Sequence, residues 1–105
     1  MAERRFVTVI RAGELPAGAA RQVDVEGRWV GLFNIDGVYH AVDNLCLHRG
    51  GPLCEGAVKG GVVTCPWHGW QFDLTTGALV QDPGVGVTRH ETRVAGDEVQ
   101  VRLTD

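Results

Sequence analysis

Two mixed pairs of metal-binding side chains constrain this chain more than any other feature. Cys46 stands two residues before His48, and Cys65 stands three residues before His68, each pair in a glycine-rich segment. Thiolate and imidazole groups are both good ligands for transition metals. The four side chains could therefore hold either one tetrahedral zinc ion or one cluster of two irons. Either site needs the two loops, separated by positions 49–64, to meet in the fold.

The arrangement of the ligands favours a two-metal centre over zinc. Zinc fingers usually pair like ligands, with two cysteines followed by two histidines. Here each loop supplies one Cys and one His, so each loop can reach both metals of a two-metal centre. In that arrangement Cys46 and Cys65 bind the inner metal. His48 and His68 then bind the outer metal, nearer the solvent.

The rest of the sequence is typical of short β-strands. Strand patterns occupy 5–10, 21–27, 29–35, 38–43, 57–65, 70–77 and 87–103. The pairs Asp36-Gly37 and Gly60-Gly61 are signals for tight hairpin turns. No window has convincing helical periodicity. We therefore expect an all-β fold, an antiparallel sandwich or barrel of about eight or nine strands.

The ligand loops are predicted to form a small subdomain carried by this sheet. The hairpin at 57–65 joins the two loops, and the subdomain extends over about residues 44–72. With 105 residues, the chain is expected to be one domain, residues 1–105.

Charge and composition narrow the possible partners and location. The net charge of −3 argues against nucleic-acid binding. No run approaches the roughly 18 apolar residues of a membrane helix. The N-terminus has the pattern of a strand and not of an export signal. Because disulfides are rare in proteins that are not exported, we expect the three cysteines to serve as metal ligands more readily than to form disulfides. We expect a cytoplasmic, monomeric protein.

The pattern C-x-H-x16-C-x-x-H, together with the segment CPWHGWQFD, resembles the signature of Rieske [2Fe-2S] domains. The resemblance covers nearly the whole chain, including its strand pattern. It implies a β-sandwich or barrel of the Rieske type with one [2Fe-2S] cluster per chain. By the same resemblance, Cys46 and Cys65 bind one iron, and His48 and His68 bind the other.

The resemblance also implies a function. It points to a soluble single-electron carrier, the ferredoxin component of a bacterial aromatic-ring oxygenase system, and not to an enzyme. Its implied partners are a flavin-containing NAD(P)H ferredoxin reductase, which supplies electrons, and a terminal Rieske oxygenase, which receives them. Transfer through a histidine edge needs a weak, transient interface and no substrate pocket.

Departures from some members of the family bear on the redox potential. Respiratory and photosynthetic Rieske proteins have a disulfide between their two loops, with Ser and Tyr donors beside the cluster. Here Trp67 occupies the place of the second loop's extra Cys, and Cys54 has no partner. We therefore expect a potential in the lower half of the family range of roughly −150 to +300 mV. A third, Pro83-containing loop at 82–87 is expected to cover the cluster.

Other interpretations remain open at this point. A ring-hydroxylating oxygenase would need a mononuclear iron held by two histidines and a carboxylate. Only His40 and His90 remain for such a site, and both are interpreted as surface residues in alternating strands. The small subunit of an assimilatory nitrite reductase and a structural zinc module are the alternatives. Three further interpretations concern packing: Trp29 in the core, Cys54 as a small apolar side chain, and Trp67, Trp70 and Phe72 at the base of the cluster.

Overall fold

Two antiparallel β-sheets form the part of the chain that the computed structural model describes, residues 4–44, 52–67 and 69–104. The strands are β1 (Val7–Arg11), β2 (Ala20–Val25), β3 (Arg28–Ile35), β4 (Val38–Asp43), β5 (Ala57–Lys59), β6 (Val62–Thr64), β7 (Gln71–Asp73), β8 (Ala78–Leu79), β9 (Asp82–Gly86), β10 (Arg89–Ala95) and β11 (Glu98–Arg102). Two single-turn 3-10 helices cover Ala12–Glu14 and Leu53–Glu55. The all-β prediction is confirmed, with more and shorter strands than expected.

Tight turns with positive φ connect three of the hairpins. Asp36 and Gly37, between β3 and β4, have φ angles of 53° and 91°. Gly60 and Gly61, between β5 and β6, have φ angles of 59° and 78°. Positive φ at both central residues matches the right-handed twist of paired strands, and glycine adopts it without a steric cost. Both predicted hairpins are therefore confirmed, and Glu26-Gly27 forms a third of the same kind.

The larger sheet has the strand order β1-β11-β10-β4-β3-β2 and encloses the first core. In β2, β3, β4 and β11, alternate side chains face this core, as the period of a β-strand requires. Its fully buried members include Val25, Val30, Leu32, Ala41, Val99 and Val101. The two edge strands, β1 and β2, both contribute to this one core, through Ile10 and Val23. The sheet is therefore curled into a near-barrel.

A second core lies between the larger sheet and the smaller one, whose order is β5-β6-β7-β8-β9. Phe33 of β3 and Val42 of β4 enter it from the larger sheet. The other buried members are Leu53, Val63, Cys65, Phe72, Leu74, Leu79 and Val87. This second core is what attaches the smaller sheet to the near-barrel, and it contains one of the four predicted ligands, Cys65.

Two expectations about this part of the fold are wrong. Trp29, expected in the core, is 53% exposed. Every second side chain of a strand points to the same face, so Trp29 lies on the same face of β3 as Phe33. The second core covers Phe33 but does not extend to Trp29. Residues 82–86 form the edge strand β9 instead of a loop. Pro83 suits an edge strand because it has no N–H to donate.

No helix in the described ranges is long and apolar enough to cross a membrane.

Candidate metal centre

The second predicted ligand loop connects β6 to β7 and is closed by backbone hydrogen bonds. The N–H of Cys65 donates to the carbonyl of Trp70 at 2.7 Å, and the N–H of Gly69 donates to the carbonyl of Cys65 at 3.1 Å. Gly69 has a φ of 75°, a conformation that favours glycine. These bonds bring both ends of a short loop together around position 68, where the sequence places a histidine.

Cys65 lies at the base of this loop with a free thiol. Only 2% of the residue is exposed, and it packs in the second core with Val63 and Phe72. Cys54 and Cys65 are both free cysteines. Because Cys46 lies outside the described residues, the expectation that Cys54 has no disulfide partner stays a prediction. Trp70 packs partly buried against the same core, as predicted, whereas Trp67 is 56% exposed and is not a packing residue.

The first predicted ligand loop leaves the larger sheet at Asn44, directly after β4. Asn44 is fully buried. Its side-chain oxygen accepts the N–H of Cys54 at 2.7 Å, and its amide nitrogen donates to Gln22 Oε1 at 2.6 Å. Asn44 was not predicted as a site residue, because nothing in the sequence links it to a residue ten positions later.

The two loops meet at the backbone. Gly56, two residues beyond Cys54, lies so close to β6 that a Cβ there would collide with the carbonyl oxygen of Thr64. Thr64 is the residue directly before Cys65. Leu53, at the end of the first loop, packs in the same core as Cys65. The fold therefore brings the exit of the first loop against the entrance of the second.

Of the four predicted ligands, the structure describes only Cys65. Cys46, His48 and His68 lie outside the described residues, so the ligand set stays a prediction. Within the described ranges, no group of three or more His, Cys, Asp or Glu side chains could hold a metal ion. The residues present nevertheless fit a [2Fe-2S] cluster. Cys65 offers a buried free thiol, a soft ligand suited to iron–sulfur clusters, where the two loops meet.

His90 is buried and fully hydrogen-bonded, so its interpretation as a surface residue was wrong. Its Nε2–H donates to Asp43 Oδ1 at 2.8 Å, while its Nδ1 accepts the N–H of Thr104 at 2.9 Å. The backbone N–H fixes Nδ1 as the acceptor, so the ring is a neutral tautomer. With both nitrogens occupied, His90 is not available as a metal ligand.

Asp43, the last residue of β4, binds both His90 and Arg28, the first residue of β3. Arg28 Nε donates to Asp43 Oδ1 at 2.8 Å, and Arg28 Nη2 donates to Oδ2 at 2.7 Å. Burial raises the pKa of Asp43, but the hydrogen bonds from Arg28 and His90 outweigh it and hold that pKa below its ordinary value. The carboxylate therefore stays ionised while it orients two side chains.

Burial lowers the pKa of His90, although the hydrogen bond and charge of Asp43 act in the opposite direction. Burial also lowers the pKa of His40, and the nearby Arg89 adds to this effect. Both histidines are therefore neutral in the folded protein at pH 7.

Replacing His90 by Gln is expected to make the stability of the protein less sensitive to acid. Below the ordinary pKa of 6.5, the unfolded chain binds a proton at His90 that the folded protein does not bind. Stability is therefore lost as the pH falls from 6.5 toward the lowered folded pKa, by at most about 1.4 kcal/mol per pH unit. Gln can still donate to Asp43 but does not titrate. The part of the pH dependence of stability that is due to His90 should therefore disappear.

The measurement is urea unfolding at several values between about pH 7 and pH 5, where this linkage acts. His40→Gln is the matched control, because His40 is only partly buried and should flatten the slope less. Equal slopes for the wild type and His90→Gln would contradict the assignment of a neutral, buried His90.

Comparison with known proteins gives a consistent result over most of the chain. The family model described as the Rieske [2Fe-2S] domain matches residues 5–95. The biphenyl dioxygenase ferredoxin subunit of Pseudomonas sp. (strain KKS102) is 32% identical over 98 residues, which cover 91% of this chain and 90% of that protein. Apoptosis-inducing factor 3 of Mus musculus is 33% identical over 98 residues, which cover 92% of this chain. The chain spans only 16% of that larger protein.

Solved structures share the fold over nearly its full length. A chain in the complex of reduced oxygenase and oxidized ferredoxin in carbazole 1,9a-dioxygenase matches with a TM-score of 0.84 at 28% identity, covering 92% of each chain. A Mycobacterium tuberculosis protein assigned as the small subunit of an NADH-dependent nitrite reductase matches with a TM-score of 0.89 at 28% identity. That match covers 99% of each chain.

Proposed function

Because this chain belongs to the Rieske [2Fe-2S] domain family, we propose that it carries single electrons as the ferredoxin component of an aromatic-ring oxygenase system. The observation that carries this proposal is the match with the biphenyl dioxygenase ferredoxin subunit, which covers 91% of this chain and 90% of that relative. That match covers most of a protein named as a ferredoxin subunit, which supports an electron-carrier role for this chain. The net charge of −3 is compatible with docking to a basic surface on a protein partner.

The proposed ligands are the four residues of the two loops. Cys46 and Cys65 hold one iron, and His48 and His68 hold the other, as the family pattern implies. When bound, the [2Fe-2S] cluster accepts one electron and returns it. Two neutral imidazoles in place of two thiolates leave the site near zero charge, which raises its potential above that of all-cysteine sites. Cys65 contributes a thiolate from a buried position that excludes water.

The proposed partners are a terminal Rieske oxygenase, as electron acceptor, and a flavin-containing NAD(P)H reductase, as donor. The first is supported by the solved carbazole complex of an oxygenase with a ferredoxin of this fold. Trp67, which is 56% exposed beside the proposed ligand His68, offers apolar area for a transient contact. We further propose a cytoplasmic monomer in which residues 1–105 act as one domain, with a cluster-binding subdomain of about residues 44–72.

Spectroscopy and electron transfer test the proposal together. The purified protein should be red-brown, contain two irons per chain, and give a rhombic EPR signal with a low average g value after reduction. Mixed with an oxidised terminal oxygenase of the biphenyl type in a stopped-flow instrument, the reduced protein should be reoxidised. Colourless protein with one zinc per chain, isolated from iron-supplied cells, would rule out the electron-carrier function.

A second candidate is the small subunit of a nitrite reductase. It is favoured by the match with the Mycobacterium tuberculosis protein, which has a TM-score of 0.89 over 99% of both chains. Adding this protein to an isolated nitrite reductase large subunit separates the two candidates. Restored nitrite reduction without reoxidation by any ring-hydroxylating oxygenase would favour the second. The presence of all four ligand residues favours the first, since a subunit with a purely structural role does not need them.

A further inference from the structure

Asn44 uses every polar atom of its buried side chain. Its Oδ1 accepts the N–H of Cys54 at 2.7 Å. Its Nδ2 donates to Gln22 Oε1 at 2.6 Å and to Cys54 Sγ at 3.3 Å. Its own N–H donates to the carbonyl of Trp29 at 3.2 Å. The side chain thus joins β2 to the 3-10 turn at Leu53–Glu55, and the backbone N–H of the same residue bonds to β3.

The larger sheet leaves room for this side chain by having no side chain of its own at Gly31. A Cβ at Gly31 would lie 2.8 Å from Asn44 Oδ1 and 3.1 Å from Phe33 Cε1. Real Cβ atoms do not approach an oxygen so closely without displacing it. Gly31 and Asn44 therefore act as a pair, in which the glycine provides the space that the asparagine fills.

We infer that Asn44 is the positioning residue of the first ligand loop. It lies at the start of segment 45–53, which carries Cys46 and His48, and it holds the residue that follows the end of that segment, Cys54. Tying both ends of a loop to one point reduces the conformations the loop can adopt, and so favours the arrangement in which its ligands converge. The inference rests on the proposed ligand set, and it gives Cys54 a role through its backbone N–H instead of through its thiol chemistry.

The chain contains a matched control for this role. Asn34 is also buried and makes the same kind of contacts, donating from Nδ2 to the carbonyl of Leu15 at 2.8 Å and accepting the N–H of Gly37 at 2.8 Å. Its partners lie in turns of the near-barrel and not at the ends of a ligand loop. Asn34→Ala should therefore weaken the fold in general, while Asn44→Ala should also loosen the ligand loop.

The experiment follows the loss of visible cluster absorbance when excess iron chelator is added to the purified, cluster-containing proteins. Asn44→Ala is expected to lose its cluster about tenfold faster than Asn34→Ala, because the variant loses the hydrogen bonds by which the buried Asn44 side chain holds Cys54 at the end of the loop. Gly31→Ala keeps Asn44 but displaces it, and should also accelerate loss over wild type. If Asn44→Ala does not fold, Gly31→Ala tests the inference in its place.

A second readout does not depend on the cluster being lost. Alkylation of each cysteine, resolved by mass spectrometry, should be faster at Cys54 in Asn44→Ala and in Gly31→Ala, and unchanged in Asn34→Ala. The inference would be overturned if the difference in cluster-loss rate between Asn44→Ala and Asn34→Ala were explained by their difference in free energy of unfolding. A Gly31→Ala variant that matches wild type in both readouts would also overturn it. Wild-type protein without a [2Fe-2S] cluster would overturn the proposed function itself, which is a distinct outcome.

Discussion

A Cys65→Ala variant is expected to contain no [2Fe-2S] cluster, whereas Cys54→Ala is expected to retain it. Cys65 supplies one of only two thiolates in the proposed ligand set, and the methyl group of alanine cannot bind iron. Cys54 is also a free cysteine, but its sulfur accepts only a weak type of hydrogen bond, from the amide of Asn44 at 3.3 Å. Its backbone N–H, which makes the stronger bond to Asn44, remains in the alanine variant.

Iron content per chain, visible absorbance and the EPR signal of the reduced protein measure this difference. Far-ultraviolet circular dichroism shows whether each variant keeps its β-structure, so that loss of the cluster is not confused with unfolding. If Cys65→Ala retained two irons per chain with an unchanged EPR signal, the proposed ligand set would be wrong. If Cys54→Ala lost the cluster instead, the ligand would have been assigned to the wrong cysteine.

Local sequence signals predicted the hairpins of this fold correctly. Asp36-Gly37 and Gly60-Gly61 specify turns that only residues tolerant of positive φ can make, so the strands on either side are determined within a few residues. Val23 and Val25 face one core because alternation is a property of the strand itself. The Rieske-type architecture inferred by resemblance is likewise confirmed by the solved ferredoxin structure that this chain matches.

Features that depend on distant parts of the chain were not predictable in this way. His90 occupies a polar position in an alternating strand, which usually indicates exposure. It is buried because Asp43, which is 47 residues away in the sequence, supplies its hydrogen-bond acceptor. Trp29 is apolar, yet it lies on a part of β3 that the second core does not cover. Asn44 carries no motif, and its role follows only from its contacts with Gln22 and Cys54.

The metal centre was predicted differently, from the spacing and type of its ligand residues together with the resemblance to Rieske domains, and its ligand set stays a prediction. Metal ligands are recognisable in sequence because few other roles need Cys and His at fixed intervals. What spacing cannot supply is the support around the ligands. The close approach of Gly56 to Thr64 comes from the pairing of β5 with β6, and Leu53 and Cys65 pack in the core between the two sheets. Such contacts determine how firmly the site is held, and they become visible only in the folded structure.

The second large effect is expected at Asp43, whose replacement by Ala should lower the free energy of unfolding by about 2 kcal/mol. The variant would leave the Nε2–H of His90 buried without its acceptor and would remove both bonds from the Arg28 guanidinium to the carboxylate. A buried polar group that loses its hydrogen-bond partner keeps the full cost of its desolvation. Removing one residue of a buried network therefore costs more stability than the intact network contributes.

An ion pair on the surface provides the contrast that makes this prediction specific. Arg11 and Asp97 approach to 2.8 Å, but their side chains are 70% and 68% exposed. Water and salt screen such a pair, so Asp97→Ala should cost less than about 1 kcal/mol. Urea unfolding of both variants at about pH 7, where His90 is neutral and Asp43 is ionised, measures the difference. Similar losses in the two variants would mean that Asp43 is an ordinary surface carboxylate. A much larger loss at Asp43 would show that the network it forms with Arg28 and His90 stabilises the sheet from which the first ligand loop departs.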